Sequence, residues 1–154
     1  MVRAIVIAFL CVVVFATSAT ADFGAGIIAG EPTGLSAKLQ MSRASALDFA
    51  VAWSFGSGED ALLVLADYVL HNYSLLKVDQ GTMAIYFGVG GRIKFSEDEE
   101  VGVRVPFGLD YMFQGTPVDV FGEIVPVLEL VDDTELNWNG AVGVRYFFGG
   151  TSYR

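Results

Sequence analysis

Cysteine is nearly absent from this sequence: Cys11, the only one, falls inside the first apolar run. A chain with no further cysteine has no disulfide to staple it and no Cys/His cluster for a structural zinc. Histidine is as scarce, with His71 alone. Basic residues are few, 9 Lys and Arg against 18 Asp and Glu. The resulting net charge of −9 and pI near 4.3 argue against nucleic acid as a partner. A second long apolar run is also missing, although the chain is 53% hydrophobic and its mean hydropathy is +0.52. High apolarity without a further membrane-spanning helix fits a transmembrane β-barrel, whose lipid-facing residues are diluted two-fold by the inward ones between them.

The first residues read Met1-Val2-Arg3, an apolar run from Ala4 to Ala16, then Thr17-Ser18-Ala19-Thr20-Ala21. This is a basic n-region, an h-region and an Ala-x-Ala cleavage site, and the run is shorter than the roughly 20 apolar residues of a spanning helix. Residues 1–21 are therefore expected to be a signal peptide cleaved after Ala21, with 22–154 as one outer-membrane β-barrel domain. Cys11 is not preceded by a lipobox-like triplet ending at the cleavage point, so the mature chain is expected to carry no cysteine.

From Asp22 onward the period is two, interrupted by turn-like clusters. The alternating runs are Asp22 to Gly30, Gly34 to Ser42, Ala46 to Phe55, Ala61 to His71, Thr82 to Phe95, Val101 to Phe113, Val118 to Leu130 and Leu136 to Phe148, eight in all. The expected fold is all-β, an eight-stranded antiparallel up-and-down transmembrane barrel. In the third run Leu47, Phe49, Val51 and Trp53 share one face, and Ala46, Asp48, Ala50 and Ala52 the other. Eight strands enclose a bore that side chains can fill, so the face of small and charged residues belongs inside and the bulky face outside. Aromatics near the ends of the bulky face suggest two girdles. Trp53, Phe55, Phe95 and Trp138 form one, and Tyr68, Tyr111, Phe113, Tyr146 and Phe148 the other. Pro106 and Pro126, inside runs, suggest bulges beyond which the two faces could exchange.

With these eight runs, a signal peptide and a terminal Gly143-x-x-Tyr146-x-Phe148, the chain resembles the small outer-membrane β-barrel domains of the OmpA-transmembrane and OmpX type, over all of 22–154. Gly30-Glu31-Pro32-Thr33-Gly34-Leu35 and Ala52-Trp53-Ser54-Phe55-Gly56 are similar to segments of bacterial members of that outer membrane protein β-barrel group. Gly149 to Arg154 extend past the final aromatic, where the family's last strand usually ends. The resemblance implies the outer membrane of a Gram-negative-type bacterium, with outer-membrane lipid, lipopolysaccharide and the barrel-assembly machinery as partners.

Three constellations could carry chemistry. Inward positions hold Asp48, Asp67, Asp110 and Glu123 beside Lys38, Arg92, Arg104 and Arg145, a balanced set expected to plug the lumen with salt bridges rather than to open an ion path. With a turn at 96–100, Arg92 and Arg104 are expected to face each other across a hairpin and then to need an acid, Glu123 being the candidate, or a bound anion. With both termini periplasmic, the outer loops carry Glu31, Glu59, Asp60, Glu97, Asp98, Glu99, Glu100, Asp132, Asp133 and Glu135. This acidic rim is either merely solvated or able to share divalent cations with lipopolysaccharide phosphates, though it lacks EF-hand spacing. His71 would have to serve any Ser-His-Asp site, but its position at the end of the fourth run reads as a rim histidine. Gly24 to Ala29 matches a dinucleotide fingerprint by letter only, since no helix follows it.

The reading is a non-enzymatic barrel without cofactor or metal, serving envelope integrity or surface interaction through short acidic loops. Its rivals are an outer-membrane lipid-modifying enzyme and a soluble periplasmic lipid-binding calyx. The ten residues from Asn72 to Gly81, the longest connection, are expected to tuck Leu75, Leu76 and Val78 under the periplasmic mouth rather than to offer them to a partner.

Overall fold

The computed structural model describes residues 22–54, 61–131 and 133–149; the expected signal peptide, Phe55, Glu59, Asp60 and Asp132 lie outside them. The strands are β1 (Asp22–Gly30), β2 (Gly34–Gln40), β3 (Ser45–Ser54), β4 (Ala61–Asn72), β5 (Thr82–Phe95), β6 (Glu100–Arg104), β7 (Phe107–Met112), β8 (Val118–Glu129) and β9 (Glu135–Phe148). Successive strands pair antiparallel except β6 and β7, which follow one another between β5 and β8 and each pair with both, and β9 returns to β1. The sheet closes on itself as eight staves, the sixth made of two pieces. We call the end with connections 31–33, 96–99 and 130–134 the upper end, and that with 41–44, 73–81 and 113–117 the lower.

Pro106 in the sixth stave, and Pro126 on the neighbouring β8, interrupt the ladder there. Gly88 donates to the carbonyl of Pro106 at 3.0 Å, and Val105 donates to the carbonyl of Pro126 at 3.1 Å, but neither proline has an N–H to return. The ladder therefore lapses at residues 105 and 106. No bulge accompanies it, contrary to the sequence expectation. Arg104 opposes Gly90 and Phe107 opposes Phe87, while on the other side Arg104 opposes Val127 and Phe107 opposes Ile124, without a shift of register. Pro126 likewise sits in register opposite Trp138. Because no residue is added, the inward and outward faces keep their sense along the whole stave.

The outer wall is apolar: Ile27, Leu35, Val89, Phe107, Leu109, Ile124, Val142 and Val144 are all exposed. Expected girdle residues point outward with them. Trp53 registers with Leu62 and Leu62 with Phe95 near the upper end, where Trp138 also lies. Near the lower end Tyr111 meets Phe113 edge-on at 5.0 Å, Tyr146 meets Phe148 at 5.0 Å, and Tyr68 stands exposed on β4. Aromatics are not confined to two belts, since Phe87 and Phe107 oppose each other in mid-wall.

Inside, three aromatic rings lie over glycines directly opposite in register: Tyr86 over Gly108, Phe121 over Gly143 and Phe147 over Gly24. A Cβ at Gly108 would stand 2.4 Å from the Tyr86 ring, and one at Gly143 would stand 2.4 Å from that of Phe121. Glycine at these positions leaves the bore wide enough for a ring. Gly24 to Ala29 lies within β1, paired on both sides, so it cannot form the turn a dinucleotide needs.

Candidate functional site: the charged lumen

The period of two turns every second side chain of each stave inward, and most of the ionisable ones end up buried there. In the lower lumen Arg145 of β9 donates from Nε to Asp119 Oδ1 at 3.0 Å and from Nη2 to Oδ2 at 2.9 Å. Its guanidinium covers the Phe121 ring at 4.0 Å, and Nη1 lies 3.5 Å from Asp48. Asp48 is also 3.8 Å from Lys38, whose ammonium donates to Asp110 at 2.9 Å. His71 completes a triangle, with Nε2 at 2.7 Å from Lys38 Nζ and 2.9 Å from Asp110 Oδ2.

In the middle, Arg104 reaches Asp67 at 3.0 Å and Glu123 at 2.9 Å, and the Tyr86 hydroxyl donates to the same Glu123 at 2.9 Å. Higher up Arg92 pairs with Glu129, and Asn139 accepts from Arg92 Nη1 at 3.1 Å with its amide oxygen turned toward the guanidinium. At the upper mouth Lys94 holds Glu100 at 3.0 Å. Arg104, Arg145 and Lys38 are each 1% exposed. Charges so deep persist only when paired and hydrogen-bonded.

All eight residues expected in the lumen face inward, but three details of the expectation are corrected. Asp119 and Glu129 join them, so six acids stand against Lys38, Arg92, Arg104 and Arg145 and the set is not balanced. Arg92 and Arg104 are not opposed, because Arg92 registers with Gly102 and Arg104 with Gly90, and they use different acids. His71 is buried in the lumen and is not a rim residue. A fixed alternation from Glu123 reaches 119 directly and reaches 129 once the bulge expected at Pro126 is set aside, so parity alone finds both acids.

Tyr73, in the connection after β4, closes the lower mouth. Its ring stacks on His71 at 6.0 Å, and the guanidinium of Arg43, in the 41–44 turn, lies over the ring at 5.7 Å. Burial pushes the Tyr73 hydroxyl from 10 up to about 12, and the Asp110 carboxylate adds to that shift. Leu75 does not tuck under the mouth as expected; it is 66% exposed. The Asn72 side-chain oxygen Oδ1 accepts from the backbone N–H groups of Ser74 and Leu75, turning the chain away before it can fold inward.

At the upper rim Glu97, Asp98, Glu99, Asp133 and Glu135 are exposed. Among the described residues no three His, Cys, Asp or Glu side chains converge to hold a metal ion.

No family model matches the sequence, and no curated protein does. The structure is similar to the crystal structure of the N-terminal β-barrel domain of Pseudomonas aeruginosa OprF, with a TM-score of 0.58 and 13% identity over 83% of this chain and 96% of that one. The fold is a small OmpA-like β-barrel. At this identity the likeness concerns the fold alone. The charged lumen of this chain rests on its own side chains.

Proposed function

We propose that the chain is a non-enzymatic outer-membrane protein, exported by residues 1–21, whose barrel anchors short acidic loops in the envelope and whose lumen is plugged by ion pairs. One observation carries this reading: the closed sheet is apolar outside and charged inside. In water such a wall would expose a contiguous apolar surface far larger than the few hundred Å² usual for soluble monomers. In a bilayer the same wall is matched to its solvent, and every inter-strand hydrogen bond is satisfied by closure. The similarity to the N-terminal β-barrel domain of OprF supports the barrel architecture on which this reading rests.

The calyx reading needs an apolar interior, and here the interior holds the charges. A lipid-modifying enzyme needs its base near an acyl chain, whereas His71 is enclosed with Lys38 and Asp110. Cell fractionation followed by a gel of unboiled and boiled samples tests the proposal. The protein is expected in the outer-membrane fraction, starting at Asp22, with a mobility that changes on boiling. Release by osmotic shock, or an N-terminus at Met1, would contradict it.

A further inference from the structure

The two ends of the barrel differ in the sign of their connections. Among the described residues, connections 31–33, 96–99 and 130–134 carry Glu31, Glu97, Asp98, Glu99 and Asp133 and no Lys or Arg. Connections 41–44, 73–81 and 113–117 carry Arg43 and Lys77 against Asp79 alone. A chain of net charge −9 thus gathers the bases of these connections at its lower end. An anionic surface is repelled by the upper end and accepted by the lower one.

The longest lower connection also presents apolar side chains. Leu75 and Val78 are exposed on either side of Lys77, which is exposed with them. They do not fill the lower mouth, where Tyr73 stacks on His71. The far end of the connection is tied to the outer wall instead. Tyr111, an outward-facing girdle residue, donates from its hydroxyl to the carbonyl of Gln80 at 2.8 Å. Gly81 follows with a φ of +77°, so close that a Cβ there would stand 2.6 Å from the same hydroxyl. The connection therefore rejoins the barrel along its outer side, and its exposed leucine and valine extend the apolar surface below the girdle.

We propose that the 73–81 connection is an interfacial anchor for an anionic phospholipid surface, that of the leaflet at the lower end. Leu75 and Val78 enter the boundary between headgroups and acyl chains. Lys77 between them lays its alkyl stem along that boundary and its ammonium among the phosphates. The proposal rests on the outer-membrane reading and adds to it the lipid class and the residues that meet it.

The test is tryptophan fluorescence of the protein refolded into lipid vesicles, with Trp53→Phe and Trp138→Phe removing both native emitters. Leu75→Trp then reports on the connection, and Gln114→Trp, exposed on 113–117, is the reference. In vesicles containing phosphatidylglycerol, Leu75→Trp is expected to emit at shorter wavelength than Gln114→Trp. It is also expected to be quenched by lipids brominated near the headgroup and to be shielded from acrylamide. The blue shift should be larger with phosphatidylglycerol than with phosphatidylcholine alone, and Lys77→Glu should abolish that difference. Val78→Trp gives the same reading if Leu75→Trp does not fold. Emission open to acrylamide, in a barrel that the unboiled gel band shows to be folded in the vesicles, would overturn the anchor and leave the outer-membrane reading standing. Failure of the wild type to enter vesicles would overturn both. A blue shift without bromine quenching would mean that protein covers the connection, and an equal response to the two vesicle types would remove the phosphate contact; either overturns the proposal.

Discussion

Arg145 and Asp119 stand directly opposite each other across β8 and β9 and meet through two parallel hydrogen bonds, 3.0 and 2.9 Å long, at the bottom of the lumen. Both are almost fully buried. A planar fork matched to a carboxylate is the strongest form of charge-assisted pairing, and neither partner can turn to water if the other is removed. Asp119→Ala is therefore expected to destabilise the folded barrel by about 3–5 kcal/mol. Arg145→Lys should not retain the wild-type stability, because an ammonium cannot make both bonds. Denaturant unfolding in detergent micelles checks both; an Asp119→Ala midpoint equal to wild type would show the pair to be idle.

The pairing of Tyr86 with Gly108 is a packing counterpart. Gly108→Val places a side chain where the Tyr86 ring lies and should cost about 1–3 kcal/mol by overpacking. Since the same ring carries the bond to Glu123, displacing it also loosens the middle ion pairs. Tyr86→Leu is expected to tolerate Gly108→Val better than the wild type does. A double-mutant cycle measures this, and strictly additive losses would mean that the two residues do not share the space.

At alkaline pH the lower closure should weaken. The Tyr73 hydroxyl titrates near 12 in the folded protein against 10 when free, so folding favours its neutral form. That contribution is complete below pH 10 and is lost as the pH rises toward 12. Melting curves of the wild type should fall across this window, and those of Tyr73→Phe should fall less. Identical slopes would remove Tyr73 from the account.

The plug also bears on conduction. Asp48 and Asp67 oppose each other across β3 and β4, an arrangement tolerated because Lys38, Arg145 and Arg104 neutralise them. Arg104→Ala leaves Asp67 and Glu123 without their cation, so loss of stability should exceed gain of current. In planar bilayers the wild type is expected to show no steady, large, ohmic conductance, and Arg104→Ala should melt earlier. A wild type that conducts like an open porin would mean that the ion pairs line a channel and do not close it.

How much of this was legible beforehand varies by residue. Alternation in the third run assigns Asp48 and Val51 to opposite faces, because the strand period admits no other placement. It cannot say that Asp48 meets Lys38 and Arg145 or that Arg92 takes Glu129. Those partners come from different staves, and their levels depend on the stagger of the closed sheet, which no single run encodes. Pro106 and Pro126 misled in a specific way: a missing N–H announces a missing hydrogen bond, and only the register shows whether a residue has been added with it. His71 was misplaced because it lies one residue from the end of β4. The Tyr73 ring that buries it belongs to a connection without periodicity.

The central claim is that the bulky face meets lipid and the small, charged face lines the lumen. Refolding into lipid vesicles tests it most directly, by comparing Val51→Arg with Ala50→Ser one residue away. Arginine on a lipid-facing midplane position costs about 2–4 kcal/mol, while a serine at buried Ala50 adds a hydroxyl to an already polar interior. Val51→Arg is expected to refold with a clearly lower yield than both the wild type and Ala50→Ser, as read by the boiled and unboiled gel bands. Equal yields for the two variants, or a greater loss for Ala50→Ser, would contradict the assignment of the faces and with it the membrane reading.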